Sequence, residues 1–181
     1  AQLAGADFPD LVNRIVSARK LGRPLLLGMG AHVIKVGLNP ILIDLMERRV
    51  ITSIALNGAG IIHDTEIAMV GRTSEEVADV LGAGAFGAAR ETGEVLNQAI
   101  NEGARQGIGI GRAVGSALLA SNFPHNDQSL LAMAAKLGVP VTVHVAMGTD
   151  IIHIHPSVNG AAIGQAGAER DPHGVDRQVT L

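Results

Sequence analysis

Apolar and polar positions recur along this chain with two different periods, and the switches between them mark out helices and strands. Over residues 9–20, Leu11, Ile15, Val16 and Ala18 share one helical face and Pro9 suits the first turn, so the spacing predicts an amphipathic helix. Leu25-Leu26-Leu27 is too short for a helix and stands before Gly28-Met29-Gly30, which predicts a buried parallel strand ending in a glycine turn. Asn39-Pro40 opens a helix to about Arg49, with Ile43, Leu45 and Met46 facing the sheet. The β-branched run over residues 51–56 is the next strand, and Asn57-Gly58-Ala59-Gly60 is its closing turn. Strand, glycine turn, helix, strand and glycine turn make a βαβ unit, whose crossover is right-handed.

Beyond this unit, Thr73-Ser74-Glu75-Glu76 reads as a cap with an acidic first turn for a helix to about Leu81. Residues 88–105 form a longer helical stretch, and the Gly/Ile alternation of residues 107–111 reads as a loop into a helix over 112–121. Asn126 or Asp127 caps a helix through Lys136, Gly138 ends it, and residues 140–145 form a third strand before Gly148-Thr149-Asp150. The expected fold is α/β, a parallel sheet flanked by helices over residues 1–160. A weakly ordered tail is expected over 161–181, because residues 169–178 carry no apolar periodicity.

Composition narrows the function classes. With 181 residues, 47% hydrophobic but only 2% aromatic, the core must be Ala, Val, Ile, Leu and Met packed around 23 glycines. A net charge of −3 supplies no broad positive field, and with neither Trp nor Tyr the usual base-stacking platforms are missing, so nucleic acid is not an expected partner. Zero Cys excludes a disulfide scaffold, Cys-based zinc sites and a thiol nucleophile. No apolar run approaches the ~18 residues of a membrane span and no signal-peptide pattern follows Ala1, so no membrane is expected and the location expected is cytoplasmic.

The chemistry points to the strand ends. Three apolar strands finish in glycine turns, and ligands of parallel sheets bind in the crevice beyond the carboxyl ends of the strands. Glycine there lets a backbone amide approach a phosphate, and a following helix N-terminus favours negative charge. This predicts a nucleotide or dinucleotide site, although residues 28–33 do not match G-x-G-x-x-G. His32 and His63-Asp64 follow the first two turns, and His153 and His155 follow the third turn and Asp150, two residues apart and so on one side if the segment is extended. Such imidazoles and carboxylates could do acid–base work, or form a metal site for a hydrolase, but no known metal-ligand spacing is present and no metal is expected. Lys35 is the one lysine near a glycine turn.

The segment from Gly28 to Gly37, the helix to Arg49, and Asn57-Gly58-Ala59-Gly60-Ile61-Ile62-His63-Asp64 together resemble the deoxyhypusine synthase family, in which an S-N-x-x-x-S-G stretch precedes a helix, a strand and a T-A-G-G-x-x-E-D turn. Gly138-Val139-Pro140-Val141 through Gly148-Thr149-Asp150-Ile151-Ile152-His153 resembles that family's later strand and Gly-Asp segment. The resemblance implies an incomplete three-layer Rossmann-like fold with NAD as cofactor, bound by Gly30, Ala31, His32, Asn57, Gly58, Ala59, Gly60 and His63, with Asp150 meeting a nitrogen of a polyamine substrate. It further implies NAD-dependent transfer of an aminobutyl group from spermidine to a lysine or amine acceptor, a translation factor as protein acceptor, and a homo-oligomer, a tetramer in that family. His153 and His155 are the catalytic candidates. The family's imine-forming lysine stands in a Trp-Gly-Lys segment, whereas this chain has no Trp and only Lys20, Lys35 and Lys136, so NAD binding without lysine modification is expected of it. The alternatives are a catalytically dead assembly module and a His-rich metal-dependent hydrolase.

Overall fold

Three short strands form a parallel sheet in the order β1-β2-β3: β1 Leu26–Met29, β2 Ser53–Asn57 and β3 Val141–His144. The computed structural model describes residue 5, residues 7–73 and residues 90–169. Helices surround the sheet, as the α/β reading expects. They are α1 Asp7–Lys20, α2 His32–Lys35, α3 Asn39–Glu47, α4 Gly58–Val70, α5 Arg90–Gln106, α6 Ile110–Ala120, α7 Leu130–Leu137 and α8 Gly160–Ala168. Among the described residues, no helix is long and apolar enough to cross a membrane.

Register runs through the middle strand, with Gly28 beside Ala55 and Ala55 beside Thr142. The expected strand over 51–56 begins later, because Thr52 serves as a clamp. Its hydroxyl accepts from the Leu25 amide at 2.8 Å, and its own amide donates to the Leu25 carbonyl at 3.0 Å. One core joins α3 and α7 to β1 and β2 through Leu42, Met46, Ile54, Leu56 and Leu130. A second joins α4, α5, α6 and α8 through Ile61, Leu96, Ile100, Val114 and Ile163. α8 delivers Ala162, Ile163 and Ala166 to that core, so the packed structure extends past the expected boundary at residue 160. The remainder of the expected tail, from residue 170, and the helix expected from Ser74 to Leu81 lie outside the described residues.

Other elements also differ from the pattern-based expectation. α4 carries no helical signature in the sequence: its apolar and polar positions are spread over all sides, so it shows no 3.6-residue contrast to read. α7 begins at Leu130 instead of following directly on Asn126 or Asp127, which sit in a 3-10 turn at Asn126–Gln128. Ser129 is the actual cap, its hydroxyl accepting from the Ala132 amide at 3.1 Å.

The start of α7 is also tied down from a distance. Asp64 of α4 is fully buried, and its two oxygens accept from Asn39 Nδ2 (2.8 Å), the Ser129 hydroxyl (2.6 Å), the Leu130 amide (2.8 Å) and the Leu131 amide (2.9 Å). Burial pushes this carboxyl above the ordinary carboxylate range, against the pull of those four donors. Elsewhere the glycines of α6 set helix spacing. A side chain at Gly111 would run into the Val141 carbonyl of β3, and one at Gly115 would meet the Leu131 carbonyl of α7 at 2.7 Å.

Candidate functional site

Parallel pairing brings the carboxyl ends of all three strands to one edge, and most of the expected ligand residues gather there. Gly30 follows β1, and a side chain on it would sit 3.7 Å from Asn57 Nδ2 at the end of β2. Asn57 caps α4, with Oδ1 accepting from the Gly60 amide at 3.1 Å. Gly58 and Gly60 are buried, and a side chain on Gly60 would rest against Leu56, its Cβ 3.4 Å away. Ala31 is buried at the start of α2, while His32 is exposed beside it.

Asp150 reaches this edge from the segment after β3. Its carboxylate occupies the space a side chain on Gly58 would fill, so the first turn of α4 already carries a negative group of the chain's own. The carboxyl is half-buried, and burial raises its pKa while the nearby His153 pulls it down.

His153 lies in a 3-10 turn at Ile151–Ile154 and folds back on the loop. Its Nδ1 accepts from the Gly148 amide at 3.1 Å and the Asp150 amide at 3.4 Å. Backbone amides only donate, so in this geometry Nδ1 holds the lone pair and Nε2 carries the ring proton. Nε2 is buried without a hydrogen-bond partner.

The other histidines go elsewhere. The turn at Ile151–Ile154 breaks the extended segment that would have put His153 and His155 on one side. His155 instead packs its ring on Gly93 of α5, with Nδ1 taken by the Ser157 hydroxyl at 2.6 Å and amide at 3.2 Å. There it lines a cavity of about 710 Å³ with Ile62, Arg90, Gly93 and Ile151. His63 faces Glu66 one helical turn on, at 2.9 Å, with both largely buried. Asp64 is spent on α7. Among the described residues no group of three or more His, Asp or Glu side chains could hold a metal ion, so the hydrolase built on His32, His63, Asp64, His153 and His155 is not assembled.

No protein-family model matches the chain, and no curated protein matches it. Solved structures do. The apo structure of ArgZ, an arginine dihydrolase from the ornithine-ammonia cycle in cyanobacteria, matches with a TM-score of 0.56 and 13% identity over 91% of this chain and 21% of that one. A mutant of AgrE in binary complex with L-arginine matches with a TM-score of 0.53 and 18% identity over 86% of this chain and 21% of that one. The fold is therefore shared. The chain spans about a fifth of the length of either enzyme.

These neighbours correct the family resemblance. They are an arginine dihydrolase and a protein in complex with L-arginine, not deoxyhypusine synthases, which overturns spermidine-dependent aminobutyl transfer and hypusine chemistry as the reading of this chain. The geometry explains why the motif misled. Gly58 and Gly60 answer to Asp150 and Leu56, and Asp64 to the start of α7, so much of the matched pattern is what a tight parallel strand-to-helix joint requires.

Proposed function

We propose that this chain is a ligand-binding α/β module that holds a nicotinamide dinucleotide of the NAD class at the carboxyl edge of its sheet. The observation carrying this reading is the meeting, at that edge, of the Gly30 and Asn57-Gly58 strand ends with the half-buried Asp150. Gly30 offers unobstructed backbone beside the Asn57 amide, which suits a pyrophosphate. With its own carboxylate on the first turn of α4, the chain repels a second anion there and attracts a cation. Asp150 therefore suits the positively charged nicotinamide ring of the oxidised cofactor, and NAD+ is expected to bind tighter than NADH. Ala31, His32, Ala59 and His63 border the same strand-to-helix joints and complete the set of candidate contacts.

A second reading has one observation in its favour. Asp150 lacks a Lys or Arg partner among the described residues, and AgrE, which shares the fold, is described in complex with L-arginine. A cationic amino acid of the arginine type would match that carboxylate by a charge-assisted hydrogen bond. Titration calorimetry of the full chain with NAD+, NADH and L-arginine separates the two. Heat with NAD+ that is lost in Gly58→Val supports the dinucleotide. Heat with L-arginine alone, lost in Asp150→Asn, moves the assignment to the amino acid. A folded sample silent toward all three ligands overturns both.

A further inference from the structure

α1 buries none of its residues. Its apolar stripe is nevertheless pronounced: Phe8, Leu11, Val12 and Val16 recur at helical spacing and are 62%, 53%, 41% and 43% exposed. A stripe of this kind on a surface helix normally faces a core, and here the link to the body is a hydrogen bond from Arg19 to the Arg48 carbonyl at 3.0 Å. The charges are distributed end to end. Asp7 and Asp10 stand in the first turn, Arg19 and Lys20 in the last. Two copies of such a helix laid antiparallel bring acidic end to basic end twice, whereas a parallel arrangement sets like against like.

We infer that α1 is a self-association element, pairing antiparallel with α1 of a second copy of this chain about a two-fold axis. The pairing is isologous, with the same stripe buried on both partners. It is independent of the ligand reading above, since no residue of the strand-end site lies on α1. A helix of 14 residues is about 21 Å long, so this is a small contact and a weak dimer is expected, with dissociation in the micromolar range.

Sedimentation velocity of the full chain over a concentration series up to about 200 µM tests this. The expected result is a monomer–dimer equilibrium, weakened at least about tenfold by Leu11→Glu or Val12→Glu. Because α1 contributes nothing to either core, both variants should keep the wild-type circular dichroism and melting curve. Asp7→Lys with Asp10→Lys should also weaken the dimer, and mixing that protein with an Arg19→Glu, Lys20→Glu protein should restore association as a heterodimer. The chain has no cysteine, so orientation can be read directly: Phe8→Cys should form no disulfide on mild oxidation, because the antiparallel pair keeps the two sulfurs at opposite ends. A monomer throughout the series, a dimer indifferent to the α1 substitutions, or ready Phe8→Cys cross-linking would each overturn the proposal.

Discussion

Replacing Asp64 by Asn changes one atom at a fully buried side chain that holds four hydrogen bonds, and its cost can be worked from the partners. The carboxylate accepts from four donors, two on each oxygen. Asn retains one carbonyl oxygen, which can keep Asn39 and the Leu130 amide. Its NH2 then faces the Ser129 hydroxyl, which can turn to accept, and the Leu131 amide, which cannot. One buried backbone donor is thus stranded, at about 1–3 kcal/mol. Asp64→Ala strands all four donors and opens a cavity, so about 3–5 kcal/mol is expected. Urea unfolding followed by far-UV circular dichroism, with unchanged m-value, measures both. Losses under about 0.5 kcal/mol for the pair would refute the view that Asp64 anchors α7. The pH dependence supplies a sign test. Burial raises the folded-state pKa above its ordinary value of 3.8, so the folded chain holds the proton more tightly. The contribution of this group is fully present below that ordinary value and is lost as pH rises through the folded one. The stability advantage of wild type over Asp64→Asn should therefore shrink with rising pH in that window, and an advantage that grows would place the carboxyl below its ordinary range.

Gly111→Ala and Gly115→Ala should each lose about 1–3 kcal/mol in thermal or urea unfolding, since both new methyls meet backbone carbonyls that cannot swing away. Ser129→Ala should lose about 1–2 kcal/mol, as the cap of α7 and one bond to Asp64 go together. Gly58→Ala drives a methyl into the Asp150 carboxylate, and calorimetry should show NAD+ affinity reduced at least about tenfold with little change in melting temperature, because the loop leading to Asp150, residues 146–149, is exposed. The preference for NAD+ over NADH should fade as pH is lowered, beginning above the ordinary carboxylate range because burial raises Asp150, and it should be absent at every pH in Asp150→Asn.

Elements with a contrast between faces were legible from sequence. α1, α3 and α5 each show one apolar stripe, and the runs over residues 51–56 and 140–145 that hold β2 and β3 are rich in β-branched residues and closed by turn residues. α4 was not legible because it is buried almost all round, and its polar positions, Asp64, Thr65 and Glu66, are buried too. Their partners cannot be guessed from spacing, since Asp64 meets residues 65 to 67 positions further on. The same limit applies at the site. That Asp150 belongs with the strand ends follows from its place after the third strand. That it rests on Gly58 does not, because this depends on how the loop after β3 turns.

That contact also alters what the edge of the sheet can do. Strand ends with glycine turns suggest phosphate first, because an open helix N-terminus is a ready anion site. Here Asn57 takes the Gly60 amide and Asp150 stands over Gly58, so α4 begins with its positive end already answered from within the chain. Negative charge on a ligand is better received near Gly30, and positive charge near Asp150. His153 stands in the turn after Asp150, its Nδ1 held by two backbone amides and its Nε2 buried. A ligand with charge of both signs a few ångströms apart uses both ends of the edge together. An oxidised dinucleotide has that pattern and an isolated phosphate does not, so inorganic phosphate should fail to compete for the site at concentrations where NAD+ saturates it.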